Sequence, residues 1–167
     1  MDWQDSSGRV HNDKTGRFEE KMSDMQKDAK QSVKGTQVAD EKGEPIVVYH
    51  GMPKDGHNHE SWRFYLTEDK TIADTYKKND CKVIAGYADI KNIIEFDFEG
   101  GFFSKYNDGR TADEIALAVA KEGRYDGIRF KNIIDAGAGV KEMSKLKPAT
   151  EYVIFDPTKF KGFKVED

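Results

Sequence analysis

Three stretches of the sequence carry side chains suited to chemistry, and each suggests a different kind. GHNHE, residues 56–60, gathers His57, His59 and Glu60, all metal-ligand types. Two histidines two apart share a face only in an extended segment, whereas Gly56 and Asn58 favour a loop. The letters HNH also fall short of the longer ββα unit of the nuclease motif of that name. A solvated loop is the reading, and no metal is expected. DAGAG, residues 135–139, has glycines that could let amides cradle a phosphate. It lacks the Lys-Ser or Lys-Thr ending of a P-loop and no helix clearly follows, so it reads as a surface loop. The third candidate is dispersed: His50 and Gly51 closing PIVVYHG, Tyr65 and Tyr76 in FYLTEDKTIADTY, and Glu151 opening EYVIFD. Singly, each has an ordinary role: a satisfied structural histidine, core tyrosines, a solvated glutamate. Their order and spacing set them apart.

The elements that must position this set follow from local patterns. Ile46 to Tyr49 reads as a first strand with His50 at its end, and WRFYL, 62–66, as a second. Thr67 is expected to cap a helix with Glu68 and Asp69 in its first turn and Ile72, Ala73 and Tyr76 on its buried face. KVIAGYADI, 82–90, and NIIEFDF, 92–98, read as strands joined by a short turn. Thr111 and Glu114 form a capping box for a helix that buries Ile115, Ala116 and Val119 before Gly123 ends it. YDGIRF turns into a strand, and EYVIFD, 151–156, is the last clear strand, stopped by Pro157. Strands separated by helices without a strict βαβ rhythm indicate an α+β fold.

Residues 1–44 read as an N-terminal extension and 45–167 as the compact domain. Phe18, Met22, Met25, Ala29 and Val33 follow helical spacing, which predicts an amphipathic helix over about 16–34 that docks on the domain behind it. At 167 residues the chain is expected to form one hydrophobic core. The net charge of −4 argues against a broad nucleic-acid-coating surface. There is one cysteine, Cys81, so no internal disulfide or cysteine-rich zinc site is expected. No signal-peptide or membrane-spanning apolar run stands out, which fits a soluble, cytoplasmic setting without membrane partners.

The dispersed set resembles the ADP-ribosyltransferases of the diphtheria toxin and poly(ADP-ribose) polymerase class, whose signature is a histidine, a tyrosine and a glutamate on three strands. In particular, ADEKGEPIVVYHG, ADIKNIIEFD, RYDGIRFKNIID and VIFDPTKFK are similar to the ADP-ribosyltransferase-like domains of phage and bacterial polyvalent proteins, over roughly residues 37–163. The resemblance implies split mixed β-sheets forming an NAD cleft, with two or three peripheral helices.

It also implies roles. NAD would be the donor substrate, bound by His50, Gly51, Tyr65, Thr67 and Tyr76. His50 would hold the adenosine-side ribose, and the Gly51 main chain the nicotinamide carboxamide, where no Cβ blocks approach. Tyr65 and Tyr76 would sandwich the cationic ring. Glu151 would bond the nicotinamide ribose and stabilise the positive charge of an oxocarbenium-like state. With His50 and Tyr65 it makes up the catalytic set. Nicotinamide departs neutral, so no acid pair is expected. Arginine-modifying relatives carry a glutamate or glutamine two residues before this glutamate; Ala149 stands there, which disfavours an arginine acceptor. The loop 53–63 is short, with His57 or Trp62 as lid candidates. The expected activity is mono-ADP-ribosyl transfer to a macromolecule, a host or target protein, with nucleic acid left open. NAD glycohydrolysis and non-catalytic NAD or ADP-ribose binding are the alternatives.

Overall fold

The computed structural model describes residues 3–4, 10–11, 18–19, 23–52, 64–75, 82–135 and 146–166. β1 (Trp3–Gln4), β2 (Val10–His11) and β3 (Phe18–Glu19) form a small antiparallel sheet. α1 then covers Asp24–Ser32, shorter than the expected 16–34. Pairing with β2 takes up the backbone at Phe18, and the Ser23 hydroxyl accepts from the Gln26 amide at 3.1 Å, which starts the helix there. The stripe is correspondingly shorter. Met25 is 65% exposed, while Ala29 and Val33 pack on Tyr87, Val47 and Phe163.

Seven strands make the main sheet in the order β10-β6-β4-β5-β9-β8-β7. They are β4 (Val48–Met52), β5 (Phe64–Thr67), β6 (Lys82–Ala88), β7 (Ile93–Asp97), β8 (Gly127–Ile133), β9 (Ala149–Ile154) and β10 (Phe160–Glu166). β7 and β8 run parallel, joined through α3 (Ala112–Glu122); the other neighbours are antiparallel. The fold is α+β, with a mixed, open sheet. β4 and β5 meet at one register pair, Tyr49 opposite Thr67, whereas β4 and β6 pair from Val48 to Met52. The sheet therefore divides at this seam, which gives the expected split its physical form.

Several boundaries differ from the sequence reading. The first strand does not end at His50: Gly51 and Met52 pair with Val83 and Lys82, so His50 lies inside β4. Thr67 does not cap α2 (Lys70–Asp74). Asp69 does, accepting from the Thr71 amide at 2.9 Å, while Thr67 stays in β5 and accepts from the Asp69 amide at 3.1 Å. β10 was not expected after Pro157. Asp156 caps a 3-10 turn over Pro157–Lys159, and the chain then re-enters the sheet beside β6. β6 and β7, close in sequence, lie far apart in the strand order.

The capping box of α3 forms as expected, and Gly123 takes φ 72°, the left-handed conformation that closes a helix. Ile115, Ala116 and Val119 pack on Phe98, Ile128, Phe130 and Val153. A second core joins Val38 to Val48, Leu66, Ile90, Tyr152 and Ile154. Thr36 ties this upstream segment to the end of β6: its buried hydroxyl donates to the Ala88 carbonyl at 2.6 Å and accepts from the Ile90 amide at 3.0 Å. Among the described residues no helix is long and apolar enough to cross a membrane.

Candidate active site

Where β4 and β5 part, a cavity of about 270 Å³ opens, and His50, Gly51, Tyr65, Thr67 and Glu151 all line it. Five of the six positions expected from the sequence therefore converge. Tyr76, the sixth, lies outside the described residues, as do His57, His59, Glu60 and Trp62.

His50 is 4% exposed. Its Nδ1 lies 2.7 Å from the Tyr65 carbonyl, which can only accept, so Nδ1 carries the hydrogen. In the neutral ring Nε2 is then an acceptor nitrogen. The imidazole stacks on Phe64 with centroids 3.7 Å apart and planes 17° from parallel. One ring thus bridges the two strands just past their seam.

The Tyr65 hydroxyl donates to Asp113 Oδ1 at 2.5 Å. Burial raises the pKa of the phenol, and the Asp113 bond and charge raise it further, so the hydroxyl stays protonated. Asp113 stands in the first turn of α3, whose capped N-terminus favours a carboxylate. The helix thereby holds the tyrosine ring against the cavity.

Glu151 occupies β9, a central strand, opposite Thr67 on one side and Phe130 on the other. Successive strand side chains face opposite ways, and its neighbour Tyr152 is anchored on the reverse face. There the Tyr152 hydroxyl donates to Glu68 at 2.6 Å, and the Arg129 guanidinium lies 5.5 Å above its ring while donating to the Gln37 carbonyl at 2.7 Å. Glu151 is consequently aimed into the cavity and is 3% exposed. Its pKa is raised well above the ordinary carboxylate value, first by burial, then by the charge of Asp135 and a hydrogen bond to it. Two carboxyl groups can share such a bond only with a proton between them. The other Glu151 oxygen, Oε2, is buried without a hydrogen-bond partner among the described residues.

The acid pair is a departure from the sequence reading, which anticipated a single carboxylate. Asp135 opens the DAGAG stretch, where the glycines drew attention to phosphate binding rather than to the acid before them. Asp113 was hidden between the two members of the capping box. Phe103 also lines the cavity and was not singled out. Among the described lining residues there are three carboxyl side chains and one histidine, with no lysine or arginine. Such a lining suits a cationic ring and its sugar better than a diphosphate. No cluster of three potential ligands arranged for a metal occurs among the described residues.

The family described as ADP-ribosyltransferase in polyvalent proteins matches residues 40–166. No curated protein and no solved structure gives a significant match. The family match covers β4 to β10 and every cavity-lining residue discussed above, and the open mixed sheet agrees with it: the chain belongs to the ADP-ribosyltransferases of polyvalent proteins.

Proposed function

We propose that the protein is an NAD-dependent mono-ADP-ribosyltransferase, which releases nicotinamide and passes ADP-ribose to a macromolecular acceptor, a host or target protein. The observation that carries this reading is the buried Oε2 of Glu151, which has no hydrogen-bond partner among the described residues and is set in one cavity with the Tyr65 ring and the Gly51 main chain. Leaving a carboxyl oxygen buried and unbonded costs about 1–3 kcal/mol, a cost that a ribose hydroxyl bound at that point would offset.

In this reading the nicotinamide ring lies against Tyr65, with Gly51 holding its carboxamide. His50 accepts from the distant ribose through Nε2, and Thr67 lines the wall between. Arrival of the cationic ring favours ionisation of the Glu151–Asp135 pair, since an opposite charge stabilises the anion. The carboxylate then accepts from the nicotinamide ribose and stabilises positive charge at the anomeric carbon as the glycosidic bond breaks. The electron pair of that bond leaves with nicotinamide, which becomes neutral and requires no acid.

NAD labelled in its adenylate half tests this, incubated with the protein in the presence and absence of cell lysate. The expected result is nicotinamide release together with labelled protein, with kcat reduced by about 10²–10³ in Glu151→Gln and a smaller change in KM. Release without any labelled macromolecule would identify a glycohydrolase at the same site. No release at all would leave a binding module and reject both enzymes.

A further inference from the structure

The carboxyl side chains among the described cavity residues differ in what they are bonded to. Glu151 and Asp135 share a hydrogen bond and with it a proton, so before a ligand arrives the pair carries less than its full charge. Asp113 accepts instead from a phenol, the Tyr65 hydroxyl, at 2.5 Å. Phenols are far weaker acids than carboxyl groups, so the proton stays on the tyrosine and the charge on the aspartate. Asp113 is held firmly. On either side of it the Thr111 amide donates to Glu114 Oε1 at 3.1 Å and the Glu114 amide donates to the Thr111 hydroxyl at 3.0 Å, while the neighbouring Ala112 amide donates to the Phe103 carbonyl at 2.8 Å. This cap is complete without Tyr65, so helix formation does not account for the bond between Asp113 and a hydroxyl on β5.

Resting on the NAD-site part of the reading above, we propose that Asp113 is a specificity-determining residue: bonded to the Tyr65 hydroxyl, its carboxylate makes the tyrosine face select the cationic nicotinamide of NAD against the neutral ring of NADH. A phenol that donates to an anion is polarised, because electron density gained by its oxygen spreads into the ring and makes the face more negative. The attraction of such a face for a cation rises further where water is excluded, and Tyr65 is partly buried. NAD and NADH share the adenylate half, the riboses and the carboxamide, so His50 and Gly51 meet the same groups in both. Charge on the nicotinamide ring is what distinguishes them. Exclusion of the reduced form matters for the chemistry. Breaking its glycosidic bond would send the electron pair out on a ring with no positive charge to receive it, so NADH would fill the cavity without reacting. Asp113 acts through the Tyr65 ring, and the step at the anomeric carbon remains with Glu151.

Fluorescence titration of the full chain with NADH, followed by displacement of the bound NADH with NAD, gives both dissociation constants. The wild type should bind NAD at least about tenfold more tightly than NADH. Asp113→Asn keeps an oxygen to accept from Tyr65 and removes only the charge. It should weaken NAD about threefold to tenfold while NADH changes less than twofold, and Asp113→Glu, which retains the charge, should keep a larger preference than the asparagine variant. Equal weakening of both dinucleotides would make Asp113 a purely structural support and overturn the proposal. A wild type that binds NADH as tightly as NAD would overturn it without any variant. Failure of the parent reading is seen separately: absent nicotinamide release by the wild type rejects the enzyme and leaves the binding preference to decide this inference. Binding of neither dinucleotide rejects the NAD site and the role of Asp113 together.

Discussion

Glu151→Gln should make the protein more stable, and increasingly so as pH rises. The folded state keeps the Glu151 carboxyl protonated well above its ordinary range, because burial disfavours the anion and Asp135 contributes a second charge and a hydrogen bond. The groups facing it are Asp135 from the end of β8, Tyr65 on β5 with Asp113 of α3 behind it, and His50 from β4. A raised folded value means that the native protein binds a proton which the unfolded chain has already released. Its stabilising effect is complete below the unfolded value of about 4.3 and is lost as pH rises through the folded value. One proton of difference corresponds to about 1.4 kcal/mol per pH unit. Glutamine preserves the shape and has no proton to lose. Over the pH range between the unfolded and folded values the wild type should therefore lose stability relative to the variant, by about 1.4 kcal/mol for each pH unit. At roughly 2–4 °C per kcal/mol for a chain of this length, the gap in Tm widens by about 3–6 °C per pH unit within that range. Thermal unfolding followed by circular dichroism at pH 5, 6, 7 and 8 measures it. A Tm difference that stays flat across that range would refute the buried neutral acid, and a variant less stable than wild type at pH 7 would refute it more strongly.

Tyr65→Phe removes the hydroxyl that donates to Asp113 and should cost about 1.5–3 kcal/mol in urea unfolding, since the bond reaches a charged group. Gly127→Ala would place a Cβ 2.7 Å from the Val153 carbonyl oxygen and 2.9 Å from Ile90 Cδ1. It should cost about 1–3 kcal/mol, seen as a lower denaturation midpoint; an unchanged midpoint would mean that β8 and β9 can separate without penalty. Thr36→Val deletes the buried hydroxyl that serves both the Ala88 carbonyl and the Ile90 amide, and a loss of about 1–3 kcal/mol is expected by the same measurement.

How much of the molecule was legible in the sequence depended on whether the signal was local. The capping box at Thr111 and Glu114, the Gly123 stop and the apolar face of α3 were local patterns, and the helix forms as they predict. The order His50, Tyr65, Glu151 was also readable, because strands β4, β5 and β9 carry them as short motifs. Their convergence was not: adjacency of β5 to β9 and the single-pair seam between β4 and β5 are long-range pairings with no trace in spacing. Asp135 and Asp113 escaped for the same reason, each lying in a segment whose neighbours explained it adequately without them. Thr67 illustrates the limit of propensity. It is a good cap residue, but its place opposite Tyr49 and Glu151 holds it in the strand, and the cap falls to Asp69. β10 was missed because Pro157 marks the end of one strand and carries no signal for another that begins a single turn later.

The hydroxyl of Thr36 also bears on where this unit can be cut. The matched family region starts at residue 40, yet Val33, Thr36 and Val38 are buried against β6, β4 and Ile90. A fragment trimmed to the family boundary would uncover the apolar back of the sheet that carries His50 and strand the Ala88 carbonyl and Ile90 amide in a surface made for contact. Such a piece would aggregate before its cleft could be assayed, so a negative result from it would report on the missing segment and leave the chemistry of Glu151 untouched.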